Sequence, residues 1–169
     1  MGPYGELLGS GHRQTLEFFV SSLRDVTEQP VNPRELYYNA SVLAHYAQTS
    51  TAATDGFATP ASLAAVFDQF VITAAAWGEQ SAVMETAATQ CLILAGFFED
   101  QSKGRHSIQW YSQLGAGFFA RAARSEGDTP KAALLMALSE QFEPWRQRHA
   151  RLSRELREHR LLLRLPEAS

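Results

Sequence analysis

Apolar side chains return every three or four residues along most of this 169-residue chain, and this spacing constrains the fold more than any other feature. In an α-helix, residues three and four apart share a face, whereas a half-buried strand needs strict alternation. Alternating runs of strand length are missing from the sequence. The sequence therefore predicts an all-α fold, an irregular bundle of six or seven helices around a central apolar helix, with a long C-terminal helix kinked near Pro144.

Three dipeptides mark helix starts. Asn32–Pro33, Thr59–Pro60 and Thr129–Pro130 each place a capping side chain before a proline, and proline is tolerated at the first helical position. They predict helices that begin near residues 33, 60 and 130, after a first helix over about Gly11–Val26. The helix from residue 60 has the clearest amphipathic pattern, carried by Leu63, Val66, Phe67, Phe70, Val71 and Ala74.

The most apolar stretch runs from Cys91 to Phe98. It is apolar on every side, which a helix tolerates only when neighbours surround it, so we predict that it is the central helix. A polar connector over 99–107 follows it. Gly115 and Gly117 then interrupt a helical stripe at a cost of about 1 kcal/mol each, which predicts close contact with a neighbouring helix. The stripe consists of Ile108, Tyr111, Gly115, Phe118, Phe119 and Ala122.

The stretch Leu92–Ala123 reads LILAGFFEDQSKGRHSIQWYSQLGAGFFARAA. It resembles helical bacterial proteins of unassigned function, in which an apolar helix ending in Gly-Phe-Phe is followed by a basic turn and an aromatic pair. The resemblance covers about a fifth of the chain. It implies a helical fold and a bacterial source, and it implies no catalytic residue.

Nine positions near the C-terminus, which we call the C-terminal seam, are separated by three and four residues in turn over four heptads. This pattern predicts a dimerisation helix or a helix that docks in a partner's groove. The alternative is that the seam packs on its own domain. Histidines within it would weaken association as they gain charge below about pH 6.5, or would be solvated rim residues. The seam consists of Leu135, Leu138, Phe142, Trp145, His149, Leu152, Leu156, His159 and Leu163.

Charge is distributed unevenly along the chain. Residues 1–144 carry 8 basic and 15 acidic side chains, a net charge of -7, whereas residues 145–164 carry seven Arg and two Glu, a net charge of +5. This asymmetry predicts an acidic partner for the C-terminal helix, which is nucleic acid, an anionic membrane, or the acidic body of the same chain or its twin. The acidic remainder argues against nucleic acid, and the narrow seam argues against a membrane. The basic face consists of Arg146, Arg148, Arg151, Arg154, Arg157 and Arg160.

The connector offers one candidate for binding a small anion. Lys103, Arg105, His106 and Ser107 precede a predicted helix start, where backbone N–H groups and basic side chains can converge on a phosphate or carboxylate. The alternative is a solvated turn in which Ser107 caps the helix. This connector is the best small-ligand candidate in the sequence.

Candidate catalytic chemistry is sparse. Glu99, Asp100 and His106 lie close in sequence, but the chain carries no recognisable catalytic, metal-binding or nucleotide-binding motif. We therefore predict no catalytic residue, no metal and no cofactor. The single Cys91 cannot form an internal disulfide, which suits a reducing cytoplasm.

These observations predict one helical domain over residues 1–169, with a flexible start over 1–10 and a C-terminal helix over 130–164. The predicted function is that of a non-enzymatic protein that binds other proteins or regulates them, as a homodimer. Two alternatives stay open at this point. One is a ligand-binding or catalytic bundle with its site near Lys103–Tyr111, and the other is nucleic-acid binding through the Arg-rich helix.

Overall fold

The computed structural model describes residues 12–52, 81–102 and 107–158. Every regular element in these ranges is helical, which confirms the all-α class. The ranges fall into two compact units: unit 1 contains 12–52 and 151–158, and unit 2 contains 81–102 and 107–150. The helix predicted from Pro60 and the start over 1–10 lie outside the described residues, and the single-domain boundary stays a prediction.

Unit 1 is built on two packed helices, α1 (His12–Asp25) and α2 (Pro33–Ala52). The cap predicted for α2 is confirmed, because Asn32 Oδ1 accepts hydrogen bonds from the backbone N–H groups of Arg34 (2.8 Å) and Glu35 (3.4 Å). The buried side chains of both helices recur at helical spacing. The core side chains that these two helices bury include Phe19, Val20, Leu23, Leu36, Ala40, Leu43, Ala44 and Ala47.

The described part of unit 2 begins with a helical rod, which consists of α3 (Ser81–Leu92), a π-helical segment (Ile93–Phe97) and α4 (Glu99–Ser102). The prediction of a central apolar helix is confirmed in its burial, since residues 91–96 are all buried. Its form differs from the prediction. The backbone N–H of Phe98 donates to the carbonyl of Ile93, five residues back, so this turn is wider than an α-helical turn.

The predicted connector over 99–107 is shorter in the structure than in the sequence analysis. Its first four residues form α4, and Ser107 already caps the next helix. Glu99 and Asp100 therefore lie in a helical turn rather than in a loop, and this position brings the Glu99 carboxylate within reach of the C-terminal helix.

The rod packs against α5 (Ile108–Glu126), which in turn packs against α6 (Pro130–Glu140). The cap predicted for α6 is confirmed, because Thr129 Oγ1 accepts a hydrogen bond from the backbone N–H of Ala132 at 3.0 Å. Gly127 ends α5 with φ +78°, a conformation that residues with a side chain rarely adopt.

The C-terminal helix is divided into two pieces. After α6 ends at Glu140, α7 begins at Phe142 and continues to Glu158 as far as the structure describes it. The break lies at Gln141, three residues before Pro144. Pro144 thereby occupies the first turn of α7, where its missing N–H has no intrahelical partner to lose. The predicted interruption near Pro144 is present, with the proline inside the start of a new helix.

The two glycines of α5 have opposite environments. A Cβ added to Gly115 would lie 2.5 Å from the ring of Phe142 and 2.8 Å from Cβ of Cys91, so only glycine allows α5 to approach both. A Cβ added to Gly117 would meet nothing within 4 Å. The prediction of close contact is right for Gly115 and wrong for Gly117, which lies on an exposed part of the helix.

The replacement of each glycine by alanine should therefore change stability in opposite directions. We expect Gly115→Ala to lower the free energy of unfolding by about 1 to 2 kcal/mol, because overpacking outweighs the gain in helix propensity. Gly117→Ala should raise it by about 0.5 to 1 kcal/mol. Urea unfolding of both variants measures the difference, and equal stability of the two would contradict the packing described for Gly115.

Candidate functional site

Most side chains of the C-terminal seam are buried in the structure. Its first six positions are buried, three of them at 1% exposure or less, and Leu156 is half-buried. These six side chains pack in their own units, as the alternative interpretation expected, and do not present a docking surface. The six are Leu135, Leu138, Phe142, Trp145, His149 and Leu152. The last two seam positions, His159 and Leu163, lie outside the described residues.

One member of the predicted basic face is also buried. Arg146 retains only 8% of its surface and lies between α7 and the π segment. Its Nη1 donates to the carbonyl of Ala95 (3.1 Å) and to Glu99 Oε1 (3.0 Å), while Nε and Nη2 donate to the two carboxylate oxygens of Glu143 (2.9 and 2.6 Å). We call Arg146, Glu99, Glu143 and the Ala95 carbonyl the arginine clamp. It joins α4, the π segment and α7.

Electrostatics and geometry agree that Arg146 and Glu143 are both charged. Hydrogen bonding to Glu143 raises the pKa of Arg146, and the same contact lowers the pKa of Glu143. Gln147 (2.9 Å) and Ser112 (3.3 Å) donate further hydrogen bonds to the Glu143 carboxylate. The guanidinium is therefore committed to partners in its own unit, and the arrangement is suited to holding helices together rather than to binding an anion.

The π segment meets α7 at a second point beside the clamp. A Cβ added to Gly96 would lie 2.8 Å from Cβ of His149 and 3.0 Å from the carbonyl of Arg146, so glycine is what allows this approach. The imidazole of His149 is fully buried, and burial lowers its pKa to about 3. The expectation of a solvated or interface histidine at this position is wrong, since His149 is a neutral core residue.

Sequence reasoning did not find the clamp, although two signals were present. Glu143 precedes Arg146 by three residues, a spacing that places both side chains on one face of a helix. Gly96 interrupts the most apolar stretch of the chain, as expected where another backbone comes close. Neither signal identifies Glu99 or the Ala95 carbonyl, because their position depends on the π turn.

Removal of the clamp's guanidinium should cost much more than removal of an exposed arginine from the same helix. We expect Arg146→Met to lower the free energy of unfolding by about 2 to 3 kcal/mol, because it leaves two carboxylates and a buried carbonyl without their hydrogen-bond donor. Arg151→Met is the matched control. Arg151 pairs with Glu28 at 3.1 Å but is 48% exposed, so its loss should cost at most about 1 kcal/mol. Equal losses in urea unfolding would refute the clamp as a stabilising element.

Acid should destabilise the protein through His149. Below pH 6.5 an unfolded chain protonates this imidazole, whereas the folded chain does not until about pH 3. The unfolded state then binds more protons, so the free energy of unfolding falls with falling pH, by up to about 1.4 kcal/mol per pH unit. The Glu143 carboxylate acts in the same direction only below its ordinary pKa of 4.5.

Urea unfolding between pH 6.5 and 5 isolates the histidine contribution. We expect His149→Gln to reduce the slope of stability against pH in this window, whatever its stability at neutral pH. A slope that persists in this variant would place the acid sensitivity elsewhere.

The other described arginines of the basic face lie nearer the surface. The Arg148 guanidinium lies 4.5 Å from the centre of the Trp145 ring, and Arg151 donates to the carbonyl of Val26 (3.0 Å) as well as to Glu28. Arg154 and Arg157 are exposed. Arg160 lies outside the described residues, so the structure places five of the six.

The predicted anion site is described only at one end. Lys103, Arg105 and His106 lie outside the described residues. Ser107 caps α5, and its Oγ accepts a hydrogen bond from the backbone N–H of Trp110 at 3.0 Å, as the alternative interpretation expected. Of the neighbouring aromatic residues, Tyr111 is buried, while Trp110 keeps 37% of its surface exposed.

Comparison with protein-family models, with curated proteins and with solved structures finds no match. The resemblance to helical bacterial proteins thus stays a prediction. Within the described ranges, no helix combines the length and apolar content needed to cross a membrane. In the same ranges, His, Cys, Asp and Glu side chains do not gather in groups of three or more that could hold a metal ion.

Proposed function

We propose that this protein acts by binding another protein, and that its partner is a second copy of itself. The observation that carries the proposal is the change in burial along the C-terminal seam, which becomes partly exposed near the end of α7. The six preceding positions are buried, and Leu156 is the first whose side chain stays partly exposed. The sequence continues the same spacing at His159 and Leu163. A partly exposed leucine at a heptad position is suited to contact with a partner.

Charge favours a second copy as this partner. Exposed Arg154 and Arg157 flank Leu156, in a segment with a net charge of +5 over residues 145–164. The preceding 144 residues carry a net charge of -7. Two copies thus offer each other complementary charge, which steers association and suppresses wrong partners.

The alternatives receive less support from the described residues. Arg146 and Arg151 are paired with carboxylates of their own chain, which reduces the positive charge that a nucleic acid would meet. Ser107 Oγ accepts the helix-cap hydrogen bond from the Trp110 N–H, the arrangement that the solvated-turn alternative expects. A reducing, cytoplasmic setting is part of the proposal, because the sequence holds one cysteine and therefore no internal disulfide.

Light scattering after size exclusion tests self-association on the full chain. We expect a mass twice the chain's 18.7 kDa in low salt and a shift toward the monomer in about 1 M salt, where charges are screened beyond about 3 Å. The double variant Arg154→Gln, Arg157→Gln should be monomeric in low salt. Leu156→Gln should weaken the dimer without any change in net charge.

The matched control is the pair Arg121 and Arg124 on α5. Both are exposed and three residues apart, like Arg154 and Arg157, so their replacement by Gln removes the same charge at the same spacing. This control should remain dimeric. A monomer at protein concentrations of about 0.1 mM would refute self-association. A dimer that survives both the double variant and Leu156→Gln would refute this surface.

A further inference from the structure

The corner between α1 and α2 encloses an open pocket of about 420 Å³ in unit 1. Pro30, Val31, Pro33 and Leu36 supply apolar lining, and Tyr37 lies at the edge with 54% of its surface exposed. The volume of the pocket lies within the range of sites that bind small molecules. Neither the clamp nor the seam includes any of these residues.

The loop that forms the pocket is fixed at several points. Thr27 Oγ1 donates to the carbonyl of Leu23 at 2.6 Å, and Asn32 caps α2 beyond the loop. Arg151 holds the Val26 carbonyl and the Glu28 carboxylate from the other side, at 3.0 and 3.1 Å. With two prolines in addition, the loop is ordered before any ligand arrives, which lowers the entropic cost of binding.

The pocket lining carries both signs of charge. Its lining includes one cation, Arg24, and one carboxylate, Glu28. Glu28 is engaged by Arg151 at 3.1 Å, whereas no carboxylate among the described residues forms an ion pair with Arg24. A guanidinium beside an apolar wall and a tyrosine hydroxyl is the combination that recognises a carboxylate attached to an apolar body.

We propose that this corner pocket binds monocarboxylates with an aromatic or branched apolar body. The carboxylate pairs with Arg24, and the apolar body packs on the prolines and the Tyr37 ring. Either a free acid or the C-terminal carboxylate of a peptide that ends in an apolar residue has this chemistry. The site does not depend on self-association, because Arg154 and Arg157 do not line it.

Titration of the isotopically labelled full chain, followed by amide NMR, tests the site with defined probes. The probes are 4-phenylbutyrate, 4-phenylbutylamine, and N-acetyl-alanyl-phenylalanine with a free or an amidated C-terminus. We expect 4-phenylbutyrate to produce saturable shifts confined to residues 24–37, and the amine to produce none. Of the two peptides, only the free acid binds if peptide termini are a source. Binding by 4-phenylbutyrate alone restricts the site to free acids.

Variants separate charge recognition from non-specific apolar binding. Arg24→Gln should weaken 4-phenylbutyrate binding about tenfold or more, the effect of one lost charge-assisted hydrogen bond. Tyr37→Ala should weaken it as well. Arg34→Gln, at an exposed arginine that does not line the pocket, should leave it unchanged. Equal binding of the amine, an unchanged affinity in Arg24→Gln, or no shift at about 10 mM probe would overturn the proposal.

Discussion

A buried guanidinium group needs carboxylate and carbonyl partners to replace the water that it has lost. In unit 2, the packing of three helical elements depends on the partners of Arg146. Two carboxylates and one backbone carbonyl supply the partners. The carbonyl belongs to the π segment, so the clamp needs the wide turn as well as the helix that carries the arginine. Gly96 is needed too, because any side chain there would collide with α7. Removal of one of these features withdraws the support for the others.

Local signals predicted the parts of the fold that local chemistry decides. The caps at Asn32 and Thr129 were predictable because a capping side chain bonds to backbone only two or three residues away. The buried stripe of α5 was predictable for a similar reason, since its period is that of one helix. The form of residues 93–97 was not, because a π turn has no composition of its own. The burial of Arg146 was not predictable either, because nothing near it in sequence reveals Glu99.

The fate of the seam could not be decided from its spacing. Apolar residues at intervals of three and four are equally suited to a helix that packs in its own core and to one that packs on a partner. The structure resolves this position by position: Trp145 and Leu152 are core residues, whereas Leu156 is partly exposed. The net charge of a segment is equally indifferent to structure. The value for residues 145–164 gives every arginine the same weight, yet buried and paired arginines add little to the electrostatic field outside the protein.

The π segment also has a consequence for the comparison of sequences. A turn closed by a bond over five residues contains one residue more than an α-helical turn. The loss of a single residue between positions 93 and 97 would convert it into an ordinary α-turn, while the helical ladder on either side stays intact. Insertions and deletions are usually confined to loops. Here the π segment accommodates a one-residue deletion in the most buried part of the rod. An alignment that forbids gaps inside helices would misplace every residue of the clamp on one side of it.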